Sequence, residues 1–409
     1  MQETFPGLRL AHFVVASIVT LQVAATSAET RPNLLGFAQG ALPLRVEADP
    51  AARATMVHAV RAIDGATVVY SFTAPVPPAT RVSFVYELPA PTTFEHLAVA
   101  NIVETPSPTQ TFVRDVAVDG SSTSPTEGFE LLASGTLQAH RARGLETQLS
   151  MNRKTPVRWI RLTLSNGLDV RTPTVALEFS EIVGHGRQDA AALSTRFNGQ
   201  WKGKGVALIM QQHGAVVSGC YDRTGQLEGT ISGNVLRATG TDSATGVRSA
   251  FIMSVGVNGS LISLRSTNGS PFALFTGELQ PAHSAGSCQA VKTPSLGCGS
   301  VVHGIQFDFD SAIVRADSAP VLDALHAGLA VERSTSIRIE GHTSSEGDAA
   351  YNQRLSEQRA RAVIDALVQR GSARERLAAE GAGETRPIAP NEDESGRAIN
   401  RRVEVHCRG

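Results

Sequence analysis

The chain has 409 residues, a formal net charge of -1, 42% hydrophobic residues and 5% aromatic residues. A chain of this length divides into roughly two to four domains, and without a basic run it has no electrostatic support for binding nucleic acid. So few aromatics argue against a lipid-facing transmembrane barrel, which needs aromatic girdles.

Residues 1–28 read as an export signal. Arg9 and His12 precede the apolar run Phe13–Ala25, and Thr26-Ser27-Ala28 offers a small-residue cleavage site. The run is short for a membrane span, and an uncleaved anchor is the alternative. No cysteine stands near the cleavage site, which disfavours a lipoprotein anchor. The mature chain is expected to be soluble and exported. Its four cysteines, Cys220, Cys288, Cys298 and Cys407, form no C-x-x-C pair, so zinc and redox motifs are disfavoured. An even number in an exported protein favours two disulfides. If the strands next to Cys298 and Cys407 are antiparallel neighbours, those two cysteines meet and leave Cys220 with Cys288. Three pairings remain open.

Residues 29–190 are expected to form an all-β sandwich. Short alternating runs at 67–72, 81–86, 112–118, 157–164 and 175–182 are separated by Pro, Gly, Ser and Thr clusters. In the run from Val157, the apolar face is Ile160, Leu162 and Leu164, with Arg158, Arg161 and Thr163 more exposed. Phe112-Val-Arg-Asp-Val, Val157-Arg-Trp-Ile-Arg-Leu and Phe179-Ser-Glu-Ile-Val-Gly-His-Gly give the stretch a jelly-roll-like character that resembles discoidin or galactose-binding modules. The resemblance implies glycan binding through loops at one end. A structural sandwich without a ligand is the alternative.

Residues 195–280 read as a β-meander. Its turns are Asp222-Arg-Thr-Gly, Ser232-Gly-Asn, Asn258-Gly and Asn268-Gly, and Asn-Gly between apolar runs is a strong hairpin signal. With Trp201 near its start, the segment looks like a small lipocalin-like barrel or a curled sheet. Its bulky residues either line a cavity or, as is commoner, fill it. Residues 281–297 read as a linker.

In residues 298–409, Ile305, Phe307 and Phe309 alternate with Gln306, Asp308 and Asp310 as a half-buried strand. Asp317 or Ser318 caps a helix with the apolar face Val321, Leu322, Leu325 and Leu329. Pro320 sits in its first turn, where a missing N–H costs little. Ile337 and Ile339 mark a second strand. A second helix runs from near Asp348 to Gly371, a C′ glycine. Residues 377–380 and 401–406 supply the last strands. The order β-α-β-α-β-β predicts a two-layer α+β domain, so the fold class is multidomain, two all-β units followed by this one.

In the second helix Asn352, Leu355, Arg359 and Val363 are spaced to share one face. Arg359 therefore lies beside the buried stripe, where an arginine is costly unless it meets an anion. Its partner is either an external carboxylate or an internal one such as Asp308 or Glu340. The domain resembles the OmpA-like peptidoglycan-binding family. The matching residues are the phenylalanine-aspartate run, Gly341-His342-Thr343, Tyr351-Asn352, Leu355-Ser356, Arg359-Ala360, Gly381-Ala382-Gly383-Glu384, Pro387, Asn391 and Gly396-Arg-Ala-Ile-Asn-Arg-Arg-Val. That resemblance implies a pocket for the diaminopimelate of the peptidoglycan stem. Arg359 would hold its carboxylate. Thr343, Asn352 and Arg401 would complete the contacts, and Asn400 would shape the loop.

The family has an aspartate for the ammonium where this chain has Ser344. A hydroxyl accepts a hydrogen bond but supplies no charge. Glu346, two residues on, is the candidate replacement carboxylate; weaker binding or a different stem amino acid are the alternatives. His342 has no second histidine or cysteine at metal spacing, so its expected role is structural. Asp308 and Asp310 are expected to solvate a strand edge. No phosphate loop, catalytic triad, cofactor motif or metal cluster stands out.

The expectation is therefore a non-enzymatic, exported envelope protein of a Gram-negative bacterium, periplasmic or associated with the outer membrane. Its last domain would dock on peptidoglycan and tether the β domains, which would meet a glycan or a protein partner. The alternative is a cell-envelope enzyme with a hydrolytic site in those β domains.

Overall fold

The computed structural model describes residues 31–408, apart from 69, 72, 78, 105–109, 139–144, 166–173, 175 and 282–292. The signal-like segment 1–28, most of the expected linker and Cys288 lie outside the described residues. Among the described residues no helix is long and apolar enough to cross a membrane.

The first part is a sandwich of two sheets, one of eight strands and one of three. Its spine is a single strand, Val82–Ala100, far longer than the run expected from the sequence. Pro89 and Pro91 stand inside it, although proline cannot donate to a ladder. The chain continues through a register shift between Glu87 and Thr92, where pairing with Val157–Ser165 is interrupted. Val157–Ser165 buries Ile160, Leu162 and Leu164 and leaves Arg158, Arg161 and Thr163 half-buried. The 67–72 run contributes only the two-residue strand Tyr70–Ser71. A short helix, Met56–Arg61, interrupts the β pattern behind Thr55, whose side chain closes a capping box with His58.

Eight strands between Gly199 and Leu279 then close into a barrel. Its hairpin turns are where the sequence put them. Asp222 and Arg223 have φ of 49° and 80°, and Asn268 and Gly269 have 49° and 76°. These positive values give the turn twist that matches paired strands. The interior is occupied by Phe197, Trp201, Met210, Tyr221, Phe251 and Met253, all buried. Cys220 lies buried in a barrel strand and is not a free thiol.

The last part has a four-stranded sheet in the order 301–302, 403–408, 336–342, 377–383. Ser336–His342 runs parallel to Leu377–Gly383 and antiparallel to Val403–Arg408. Two helices, Ala319–Ala330 and Ala349–Gln369, contribute Val321, Leu325, Val363 and Leu367 to the core against it. Cys298 and Cys407 form a disulfide.

Two details depart from the expected order. The phenylalanine-aspartate run is not a sheet strand: Phe307 makes one isolated bridge to Val314 around a turn at Asp310, φ 53°. The sheet edge is instead the pair Val301–Val302. A short helix, Glu394–Asn400, precedes the final strand. Asp393 caps it by accepting from the Gly396 N–H at 2.7 Å.

The three parts pack on one another. Ala389, Ala398 and Ile399 of the last part join the sandwich core, as do Val235 and Ile252 on the outside of the barrel. Ala215 and Val216 of the barrel join the core of the last part.

Candidate functional site

The site is built where the long helix presses on the sheet. Asp348 caps the helix by accepting from the Tyr351 N–H at 3.0 Å. Its buried residues include Asn352, Leu355, Arg359 and Val363, one continuous face. Glycines permit the close approach. A Cβ on Gly341 would lie 2.3 Å from the Ser356 carbonyl oxygen, and one on Gly381 would lie 2.6 Å from its hydroxyl. This is the physical content of the Gly-His-Thr and Gly-Ala-Gly-Glu segments.

Arg359 is only 5% exposed. Its Nε donates to the Ser311 carbonyl at 3.0 Å, and its guanidinium carbon stands 4.8 Å from the centre of the Phe307 ring. Ring and carbonyl both favour a cation that has lost its water. Arg359 lines a cavity of about 130 Å³ together with Phe307, Phe309, His342 and Arg401. Arg401 also pairs with Glu394, which Arg397 engages at 3.2 Å. Burial alone would raise the Glu394 carboxyl, but Arg401 and Arg397 hold it below its ordinary value. Arg402 turns elsewhere, to Glu404 at 2.6 Å and the Arg386 carbonyl at 2.9 Å.

Thr343, Ser344, Glu346 and Asn352 form a second polar group beside this cavity rather than in its wall. Asn352 Nδ2 donates to the Glu346 carbonyl at 2.8 Å and to Glu384 Oε2 at 2.5 Å. Asn352 Oδ1 and Thr343 Oγ1 are buried with no hydrogen-bond partner among the described residues. Buried polar atoms are rarely left so, and both are oxygens that can receive an N–H. Ser344 Oγ donates to Glu346 Oε2 at 3.4 Å, and Glu346 Oε1 lies 3.2 Å from Arg397 Nε. The chain Glu346–Arg397–Glu394–Arg401 therefore joins the two groups. Leu355 is buried beneath them. Asn400 accepts from the N–H groups of Ile388 and Ala389 and donates to Asn391 Oδ1, which fixes the 388–391 loop.

Sequence reasoning missed Glu384, Glu394 and Arg397. Glu384 follows the glycines of Gly-Ala-Gly-Glu, and that signal could have placed it beside the long helix. His342 is buried, with Nε2 3.4 Å from Glu340 Oε1. Burial, then the charge of Arg402, pulls it down to about 4, so it is neutral near pH 7. Among the described residues no group of three His, Cys, Asp or Glu is arranged to hold a metal ion. Asp310, off any strand, accepts from the Tyr351 hydroxyl at 3.1 Å.

A buried helix arginine, a glycine-seated helix and a capped turn before the last strand define a two-layer α/β domain with a cationic pocket. Residues 306–401 match the OmpA family model, and this part of the chain is an OmpA-family domain. Outer membrane porin F of Pseudomonas fluorescens is 45% identical over 101 residues, which are 25% of this chain and 31% of that protein. Outer membrane protein A of Bordetella avium is 40% identical over 104 residues, 25% of this chain and 53% of the relative. The chain thus spans about half or less of these relatives' lengths. Among solved structures, the peptidoglycan-associated lipoprotein from Burkholderia pseudomallei is 32% identical, covering 25% of this chain and 88% of that one, with a TM-score of 0.24.

Proposed function

We propose that this chain attaches non-covalently to peptidoglycan through residues 298–409 and so tethers its β domains in the envelope of a Gram-negative bacterium. The observation that carries this reading is Arg359, a buried helix arginine lining a cavity with Arg401. In the OmpA family this arginine holds the carboxylate of stem diaminopimelate. A guanidinium fork suits that group, and a charge-assisted hydrogen bond of this kind contributes about 1.5–3 kcal/mol. The names of the sequence relatives, outer membrane porin F and outer membrane protein A, support the envelope setting of this role.

The ammonium would lie toward Thr343 Oγ1 and Asn352 Oδ1, the two unpartnered buried oxygens, with Ser344 adding a hydroxyl. Glu346 and Glu384 stand close enough to supply negative charge. The role is binding rather than catalysis, with no cofactor. Exposed loops of the sandwich are the surface offered to a glycan or a protein partner.

The test is a pull-down of the full chain on purified sacculi. Wild type is expected to sediment with the sacculi, and Arg359→Ala is expected to lose roughly ten- to hundredfold in affinity, the range set by one charge-assisted hydrogen bond. Undiminished binding by Arg359→Ala would remove the site assignment.

A further inference from the structure

The cavity beside Arg359 does not belong to the OmpA-family domain alone. Gln39 from the start of the sandwich and Ser232, Gly233, Asn234 and Arg237 from the barrel line it as well. Its lining includes five arginines, Arg237, Arg315, Arg359, Arg401 and Arg402, and a single carboxylate, Asp317.

Arg237 is the informative member. It lies on a barrel strand, Val235–Asp242, and is 4% exposed. Its Nη2 donates to the Ala38 carbonyl, while Nη1 is buried and has no hydrogen-bond partner among the described residues. Burial, then the charge of Arg401, pulls its guanidinium down to about 10, so it stays charged near pH 7. The acids whose charge reaches it are Glu394 and Asp317. Each is already engaged, Glu394 by Arg401 and Arg397, and Asp317 by Arg315. A buried charge left this way is costly unless an anion meets it. The Ala38 carbonyl does not explain the charge, because a neutral donor such as glutamine would serve it without that cost.

We infer that Arg237 is a ligand-binding residue contributed by the barrel, and that the interdomain cavity takes a second carboxylate of the same wall peptide. The inference rests on the peptidoglycan reading and extends it. Arg359 and Arg401 hold one carboxylate, and Arg237 meets another across the domain boundary. The barrel then helps to choose the ligand as well as being carried by it. A stem peptide offers two such groups besides the diaminopimelate side-chain carboxylate: the α-carboxylate of its D-glutamate and its C-terminal carboxylate.

The experiment is calorimetric titration of the full chain with three synthetic tripeptides, L-alanyl-γ-D-glutamyl-diaminopimelate, its D-isoglutamine form and its C-terminal amide. Wild type is expected to bind the free acid about tenfold or more tightly than one of the two amides, in keeping with the loss of one charge-assisted hydrogen bond. The weaker amide identifies which carboxylate is read. Arg237→Gln keeps an N–H donor for Ala38 and is expected to bind acid and amides alike. This preference is a ratio, so a partly unfolded variant does not distort it. The proposal is overturned if wild type ignores both amidations, or if Arg237→Gln keeps the preference. Arg359→Ala separates the two readings. If it binds the free acid as wild type does, the peptidoglycan site itself is misassigned; if it loses binding while Arg237→Gln keeps the preference, only the barrel's role falls.

Discussion

The barrel and the OmpA-family domain bury their centres in opposite ways. The barrel closes over Trp201, Phe197, Phe251 and other apolar side chains. The OmpA-family domain keeps Arg359, Asn352, His342 and Glu340 out of water beside its core. Apolar filling needs only volume and shape. Buried polar groups need partners, and each incomplete set calls for an explanation. The contrast is one of degree, since Trp201 Nε1 in the barrel is also buried with no hydrogen-bond partner among the described residues.

Four measurements would break or sharpen that contrast. The largest effect is expected from Trp201→Ala, which should cost about 3–5 kcal/mol of stability in chemical denaturation by emptying the barrel centre. A near-neutral result would mean that the barrel is not a filled scaffold. Next, replacing Cys298 and Cys407 by serine should cost about 2–4 kcal/mol, because the bridge closes a loop with a sequence separation of 109.

Third, Asp64 is buried at the contact with the short helix, where its carbonyl accepts from Ser395 Oγ at 2.8 Å. Burial raises its carboxyl to about 6. The folded state therefore holds this proton more tightly than the unfolded chain does. The associated stability is full below the unfolded value near 4 and is lost as pH rises to about 6. Asp64→Asn should thus stabilise the protein at pH 7 by about 1–3 kcal/mol and flatten the pH dependence of its melting temperature between pH 4 and 6. An unchanged pH profile would mean that Asp64 titrates normally. The smallest effect belongs to Glu346→Ala. Its carboxylate is already shared with Arg397, so sacculus binding should weaken by only about two- to tenfold, in the range of a net hydrogen bond. Equal binding would leave Glu384 as the better candidate for the ammonium.

Much of this was legible in local sequence. Asn268-Gly269 forces a turn, Asp348 starts a helix, Gly371 with φ 103° ends it, and the spacing of Asn352, Leu355 and Arg359 puts them on one face. These signals act over a few residues. The misses have other causes. Phe307 and Phe309 alternate like strand residues, but the turn at Asp310 uses them beside Arg359 instead of in the sheet. The Glu394–Asn400 helix is too short to show a period, and only its Asp393 cap announces it. The 81–86 run did not show its continuation past Pro89 and Pro91, because the bulge that tolerates them depends on a partner strand. Arg237 was invisible as a site residue because it alternates with apolar neighbours like any polar strand position. Only the packing of the barrel on the last domain reveals that it faces a cavity.

The disulfide has a mechanical consequence. On the proposed tethering role, tension from the upstream domains would enter the last domain at Cys298. The bridge hands that force directly to Cys407, on the last strand of the same sheet. Arg359 lies on the closed loop between them, so a load resisted at its pocket is shared by both arms of that loop. Pulling on such an anchor would meet a closed loop with two arms rather than an open chain.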